Sequence, residues 1–224
     1  MLKALQHIID ARATWIIAVI NIAMYLTASY LPADKLVLTG NSVADMTEPW
    51  RFLSHTALHL TPSHLAINCV ALILAGSWLE SKSSWLIFTK SYIAGGICGG
   101  VAFAIICTIS DASSMLLAGS SAAVLSVAAT AVFYDPRQDY GVLFKFSAPV
   151  ILILYLLGNP TENAGGLMAH IGGFVAGTTV AYAHKRHSKI RRVDPLIHKA
   201  EQSGYASLTS VERHSLSSKL GARR

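Results

Sequence analysis

The chain has 224 residues, 53% of them hydrophobic and only 13% charged, with 18 Lys and Arg against 12 Asp and Glu. A soluble domain carries about twice that share of charge, and the short alternating segments of a β-barrel are absent, so composition leaves a helical membrane protein. The net charge of +6 fits basic residues held on the cytoplasmic side of a bilayer and needs no nucleic-acid partner.

Taken in chain order, residues 1–13 are expected to form a short cytoplasmic N-terminus, residues 14–183 a membrane domain and residues 184–224 a basic cytoplasmic tail. The apolar blocks predict six spans: Trp15–Leu31, His64–Leu79, Trp85–Cys107, Met115–Phe133, Leu143–Leu157 and Leu167–Ala183. No A-x-A site follows the first block, so it reads as a retained helix and not as a cleaved signal. Cys69, Cys98 and Cys107 lie in or beside apolar blocks without metal-ligand spacing and read as small buried hydrophobes. Lys3, Arg12, Lys82, Arg137 and the run Lys185, Arg186, Lys189, Arg191, Arg192 flank alternate ends of the spans. By the positive-inside rule both termini are cytoplasmic, and a bacterial inner membrane is the expected location.

The longest connection, Pro32 to Ser63, contains "EPWRFLSHTALHLTPSH". This stretch is too apolar for a solvated loop and too interrupted for a span. It reads as a segment lying in the outer leaflet with Trp50 at the interface, its backbone covered by protein or lining a wet cavity.

Spans two, four and six all run inward from the outer face, and each carries polar groups near its outer end. His64 and Asn68 share one face of span two, Ser121 lies a turn or two inside span four, and His170 lies about a turn inside span six. Polar groups in lipid are costly and turn toward a bundle interior or a cavity, so their common depth predicts a shared site. His170, Gly173 and Gly177 share a face, and Gly173-x-x-x-Gly177 permits close helix packing. That contact brings Ser121 toward His170. A serine hydroxyl becomes nucleophilic when a base accepts its proton, and histidine titrates in the useful range. Backbone N–H groups at the start of span four, the Asn68 amide and His64 are the candidate donors to an oxyanion. No aspartate is placed to orient His170, so the pattern predicts a Ser–His dyad that needs neither metal nor organic cofactor.

Three stretches, "WRFLSHTALHLTPSHLAINCVAL", "GSSA" at Gly119–Ala122 and "AHIGGFVAG" at Ala169–Gly177, resemble the rhomboid family of intramembrane serine proteases in order, spacing and span position. The resemblance covers roughly Thr14 to Ala183. It implies a six-helix rhomboid-like bundle with Ser121 as nucleophile and His170 as general base. His64, Asn68 and Gly119 become oxyanion or substrate-binding residues, and Ser120 fills the variable position of the G-x-S motif. It further implies that Trp50 and Arg51 build the first-loop structure and that Glu80 ties helices together. His55 and His59 fit the histidine-bearing first loop, a zinc site with His64 being the less favoured use of them. The chain departs from the family pattern at Ala122, where glycine is usual, and at Leu125, where an aromatic residue often lies under the histidine. The expected activity is hydrolysis of peptide bonds in transmembrane protein substrates near the outer face of the lipid bilayer. The alternative is a catalytically inactive relative that binds transmembrane clients without cutting them.

In the tail, "RRVDPLIHKAEQSGYASLTSVERHSLSSKL" predicts two short amphipathic helices, broken at Gly204. Thr209-x-x-Glu212 supplies a capping box for the second.

Overall fold

The computed structural model describes residues 2–134, 164–191 and 194–220. The long elements are helices α1 (Leu2–Asp10), α2 (Arg12–Thr27), α6 (Pro62–Lys82), α7 (Trp85–Ile109), α8 (Ser121–Tyr134) and α9 (Ala164–Arg191). Short helices α3 (Ala33–Leu36), α4 (Ser42–Thr47) and α5 (Arg51–Ser54) fill the connection between α2 and α6. Among the described residues, four helical stretches are long and apolar enough to cross a membrane: Arg12–Tyr30, Pro62–Lys82, Trp85–Ile109 and Ala164–Lys185. Helix α8 is a shorter apolar fifth. The chain is thus an all-α integral membrane protein. The block Leu143–Leu157 lies outside the described residues.

Local chemistry sets the helix starts. Thr61 caps α6 by accepting the His64 N–H at 3.2 Å, with Pro62 in the first turn. Ser84 caps α7 through the Ile87 N–H. The start of α2 has no cap of its own, and Glu80 of α6 supplies one. Its carboxylate accepts the Ala13 N–H at 3.1 Å and the Thr14 N–H and hydroxyl at 3.0 Å each, joining two spans through orphan helix donors.

Helix α8 is the axis of the bundle. Every residue from Ala122 to Ala131 is buried, so this helix faces protein on all sides. It is flanked by α7 and α9, and three seams of small residues let the backbones meet. A Cβ added at Gly173 would stand 2.2 Å from the Ala122 carbonyl oxygen, and one at Gly177 2.2 Å from that of Ser126. One added at Gly172 would stand 2.5 Å from the Cys98 carbonyl oxygen, and one at Gly95 2.3 Å from the Ser126 Cβ. Hydroxyls complete the contacts: Ser126 donates to the Ser91 carbonyl at 2.8 Å and Thr130 to the Gly177 carbonyl at 3.0 Å.

Two sequence expectations are corrected here. The fourth span does not begin at Met115: Leu116–Leu117 (β2) pairs antiparallel with Leu38–Thr39 (β1), and helix starts only at Ser121. Asp111 at φ 50° and Gly119 at φ 130° turn the chain back on itself, which a continuous helix does not allow. The second correction concerns Cys98, which is exposed while Cys69 and Cys107 are buried. It sits on the outward side of α7, where an apolar thiol is compatible with lipid.

The chain divides into two compact units, Met1–Ala181 and Tyr182–Arg224. In the second, helices α10 (Asp194–Ser203) and α11 (Ser210–Leu220) form a small hairpin around Leu208 and Leu216, against which Leu196 and Ala200 pack. Gly204 turns the chain at φ 80°, and the Thr209 and Glu212 side chains accept each other's backbone N–H. Lys199 bridges to Glu212 at 3.0 Å.

Candidate active site

The site is assembled where α8 begins. Helix α7 continues ten residues past Gly99, whose added Cβ would stand 2.5 Å from the Ala122 Cβ. At the α-helical rise, α8 therefore starts roughly 15 Å short of the C-terminal end of its neighbour. Ser121, the first residue of α8, is half-buried at that depth. Its backbone N–H belongs to the first turn, which has no intrahelical acceptor.

Helices α8 and α9 run parallel in register: Ala122 meets Gly173 and Ser126 meets Gly177, four residues further along on both. His170 stands one turn before Gly173 and is buried. The residues next to the two candidates are packed on one glycine, since a Cβ at Gly99 would contact both the Ala122 methyl and, at 2.9 Å, the Ala169 carbonyl oxygen. Ser121 and His170 are thus carried on adjoining turns of adjoining helices. The Ala122 methyl thus fills the space left by the missing side chain of Gly99. Leu125 is fully buried and packs in the core of the bundle.

The remaining candidates surround the loop before α8. The His64 ring lies against Gly119, where an added Cβ would stand 2.5 Å from the ring; the left-handed φ and this close approach both require glycine. The Gly119 N–H donates to the His55 carbonyl at 2.9 Å, so Gly119 acts through its backbone and the room it leaves. Asn68 is buried, and its amide donates to the His64 carbonyl at 2.9 Å. His59 makes an edge contact with His64 at 5.2 Å between ring centroids. Among the described residues no three His, Cys, Asp or Glu side chains are placed to hold a metal ion.

Arg51 organises the connection that supports this loop. It is buried and donates through Nη1 to the Asp34 and Val37 carbonyls at 2.6 Å each, and through Nε to Glu48 at 2.7 Å. Its guanidinium lies 3.8 Å from Asp45, whose carboxylate also accepts the Thr39 N–H and hydroxyl. Burial raises the Asp45 carboxyl above the usual range, opposed by its bonds from Thr39 and by Arg51. The Arg51 hydrogen bond lowers that of Glu48. Trp50 donates its indole N–H to the Lys35 carbonyl at 2.9 Å and is 50% exposed. Burial pushes His55 and His59 down to about 4 each, so both are neutral at pH 7.

Sequence reasoning did not single out Gly99, or the part that His59 takes. The signal for the first was present as two interleaved small-x-x-x-small pairs, Gly95 with Gly99 and Gly96 with Gly100. The contact of His59 with the loop before α8 spans 61 residues of sequence and has no local signature.

These features define a helical integral membrane protein with a polar site recessed in its bundle. The Rhomboid domain model matches residues 46–187, and the chain belongs to the rhomboid family. It is 25% identical over 206 residues to Rhomboid protease AarA of Providencia stuartii, covering 76% of this chain and 72% of that protein. It is 28% identical over 152 residues to Rhomboid protease GluP of Bacillus subtilis, covering 64% of this chain. That second match spans only 29% of GluP.

Proposed function

We propose that this protein is an intramembrane serine endopeptidase that cleaves transmembrane proteins near the outer membrane face. The observation that carries the reading is the parallel, glycine-mediated contact of α8 with α9, which sets the Ser121 turn against the His170 turn inside the bundle. The two relatives named as proteases support it. In this reading His170 accepts the Ser121 proton as the hydroxyl attacks an amide carbonyl, then returns it to the leaving amine. The Ser121 N–H, the Asn68 amide and His64 stabilise the oxyanion, each such donor contributing on the order of 100-fold in rate. A recessed site excludes bulk water, which strengthens these interactions. The substrate helix must unwind at the scissile bond, which favours small or helix-breaking residues there. Basic residues at alternate loop ends support cytoplasmic termini in a bacterial inner membrane.

A fluorophosphonate probe on detergent-solubilised protein tests the proposal. Labelling is expected in the wild type and absent in Ser121→Ala and His170→Ala. Undiminished labelling of Ser121→Ala removes Ser121 as the nucleophile. Absence of wild-type labelling beside an active rhomboid replaces the protease reading with that of a non-catalytic client-binding relative.

A further inference from the structure

We infer that Ser120 and His59 form a lock that holds the start of α8 and thereby orients the Ser121 hydroxyl; this positioning role rests on the reading of Ser121 as nucleophile. Ser120 is fully buried and His59 5% exposed, so the pair lies inside the protein. The Ser120 Oγ lies 3.3 Å from His59 Nε2, and the Ser120 N–H points at the same nitrogen at 3.5 Å. A backbone N–H only donates, so Nε2 is the acceptor and the imidazole proton sits on Nδ1. The Ser120 hydroxyl then donates to that lone pair as well.

His59 is itself held. Its ring packs edge-on against His64, and four residues before it the His55 carbonyl takes the Gly119 N–H. Two consecutive residues ahead of the nucleophile, Gly119 and Ser120, are therefore tied to two histidines of the loop segment. On the α7 side Ser120 is faced by the Tyr92 hydroxyl, which also faces Asn21 and Thr56. A rotation of the backbone at Ser120 moves the Ser121 Oγ directly, whereas the helix beyond Ala122 is clamped by Gly99 and Gly173. The pair restrains a joint at which glycine-mediated packing does not act, the step into α8 at Ser120. It gives the first of the two adjacent serines a role distinct from that of the second.

The test uses the full-length protein in detergent, with Ser120→Ala, His59→Ala, the double variant and His59→Gln, whose side-chain oxygen restores an acceptor. Misplacement of a reacting group by about 1 Å costs up to 100-fold. Fluorophosphonate labelling at saturating probe is therefore expected to slow roughly 10- to 100-fold in both alanine variants, at unchanged half-saturating concentration, and to return within about threefold of wild type in His59→Gln. The melting shift of the double variant is expected to fall short of the summed single shifts by about 2 °C or more. Additive shifts overturn the pairing. Wild-type labelling rates in either alanine variant, or slowing that His59→Gln does not rescue, overturn the positioning role. If the wild type itself does not label, the protease reading fails and the positioning role with it, while the melting cycle still decides whether the two side chains are coupled.

Discussion

The seams around α8 and the connection from Pro32 to Thr61 hold the same site by opposite means. In the seams, side chains are nearly absent: Gly99, Gly172, Gly173 and Gly177 let backbones meet at distances that no Cβ tolerates. In the connection, one long charged side chain does the work, Arg51 collecting two carbonyls and two carboxylates in a buried fork. The difference follows from what each region must satisfy. Helices arrive with their backbone groups already paired and need only fit, which small residues provide where lipid offers no hydrophobic drive. An irregular segment arrives with unpaired carbonyls and must find donors for them. Fit fails when volume is added, and a polar fork fails when a charge is removed.

Arg51→Ala therefore carries the largest expected effect. It strands the buried Asp45 carboxylate and frees two buried carbonyls, a loss of about 3–5 kcal/mol, read as a fall in melting temperature in detergent. Arg51→Lys is expected to recover only part, since an ammonium keeps the charge but not the planar fork. An Arg51→Ala protein as stable as wild type breaks the comparison outright. Next in size is Gly173→Val, whose Cβ meets the Ala122 carbonyl and forces α9 away from α8, at a cost of about 1–3 kcal/mol. Because the seam also aligns Ser121 with His170 in the proposed mechanism, probe labelling is expected to fall by more than the loss of folded protein accounts for.

A third effect separates the regions by pH. His55 and His59 ionise near 4 in the fold against an ordinary 6.5. Between those values the unfolded chain binds more protons than the folded one, so stability falls as pH drops from 6.5 toward 4. Melting temperatures at pH 7, 6 and 5 are expected to decline, the decline being shallower in a His55→Gln, His59→Gln double variant and unchanged in slope in Gly173→Val. An equal slope in all three proteins refutes the assignment of acid sensitivity to the loop.

Much of this was legible in the residues themselves. Span positions follow from apolar length. The meeting of Ser121 and His170 turns was expected from Gly173-x-x-x-Gly177, because small residues on one helix face have few other uses in lipid. The start of α8 was misjudged, since Met115–Gly119 is as apolar as a span and only pairing with Leu38–Thr39 makes it extended. Glu80 was recognised through resemblance, and its capping of α2 emerged from tertiary contact.

The sequence by itself determined the helical membrane class and the family and nominated Ser121 and His170, because hydropathy and close-spaced motifs are local properties. Tertiary structure alone decided that Gly99 makes room for Ala122, that Arg51 gathers Asp45 and Glu48, and that Ser120 meets His59. Each of these depends on which backbones approach which, and a chain that pairs residues 61 positions apart writes no local periodicity for that approach.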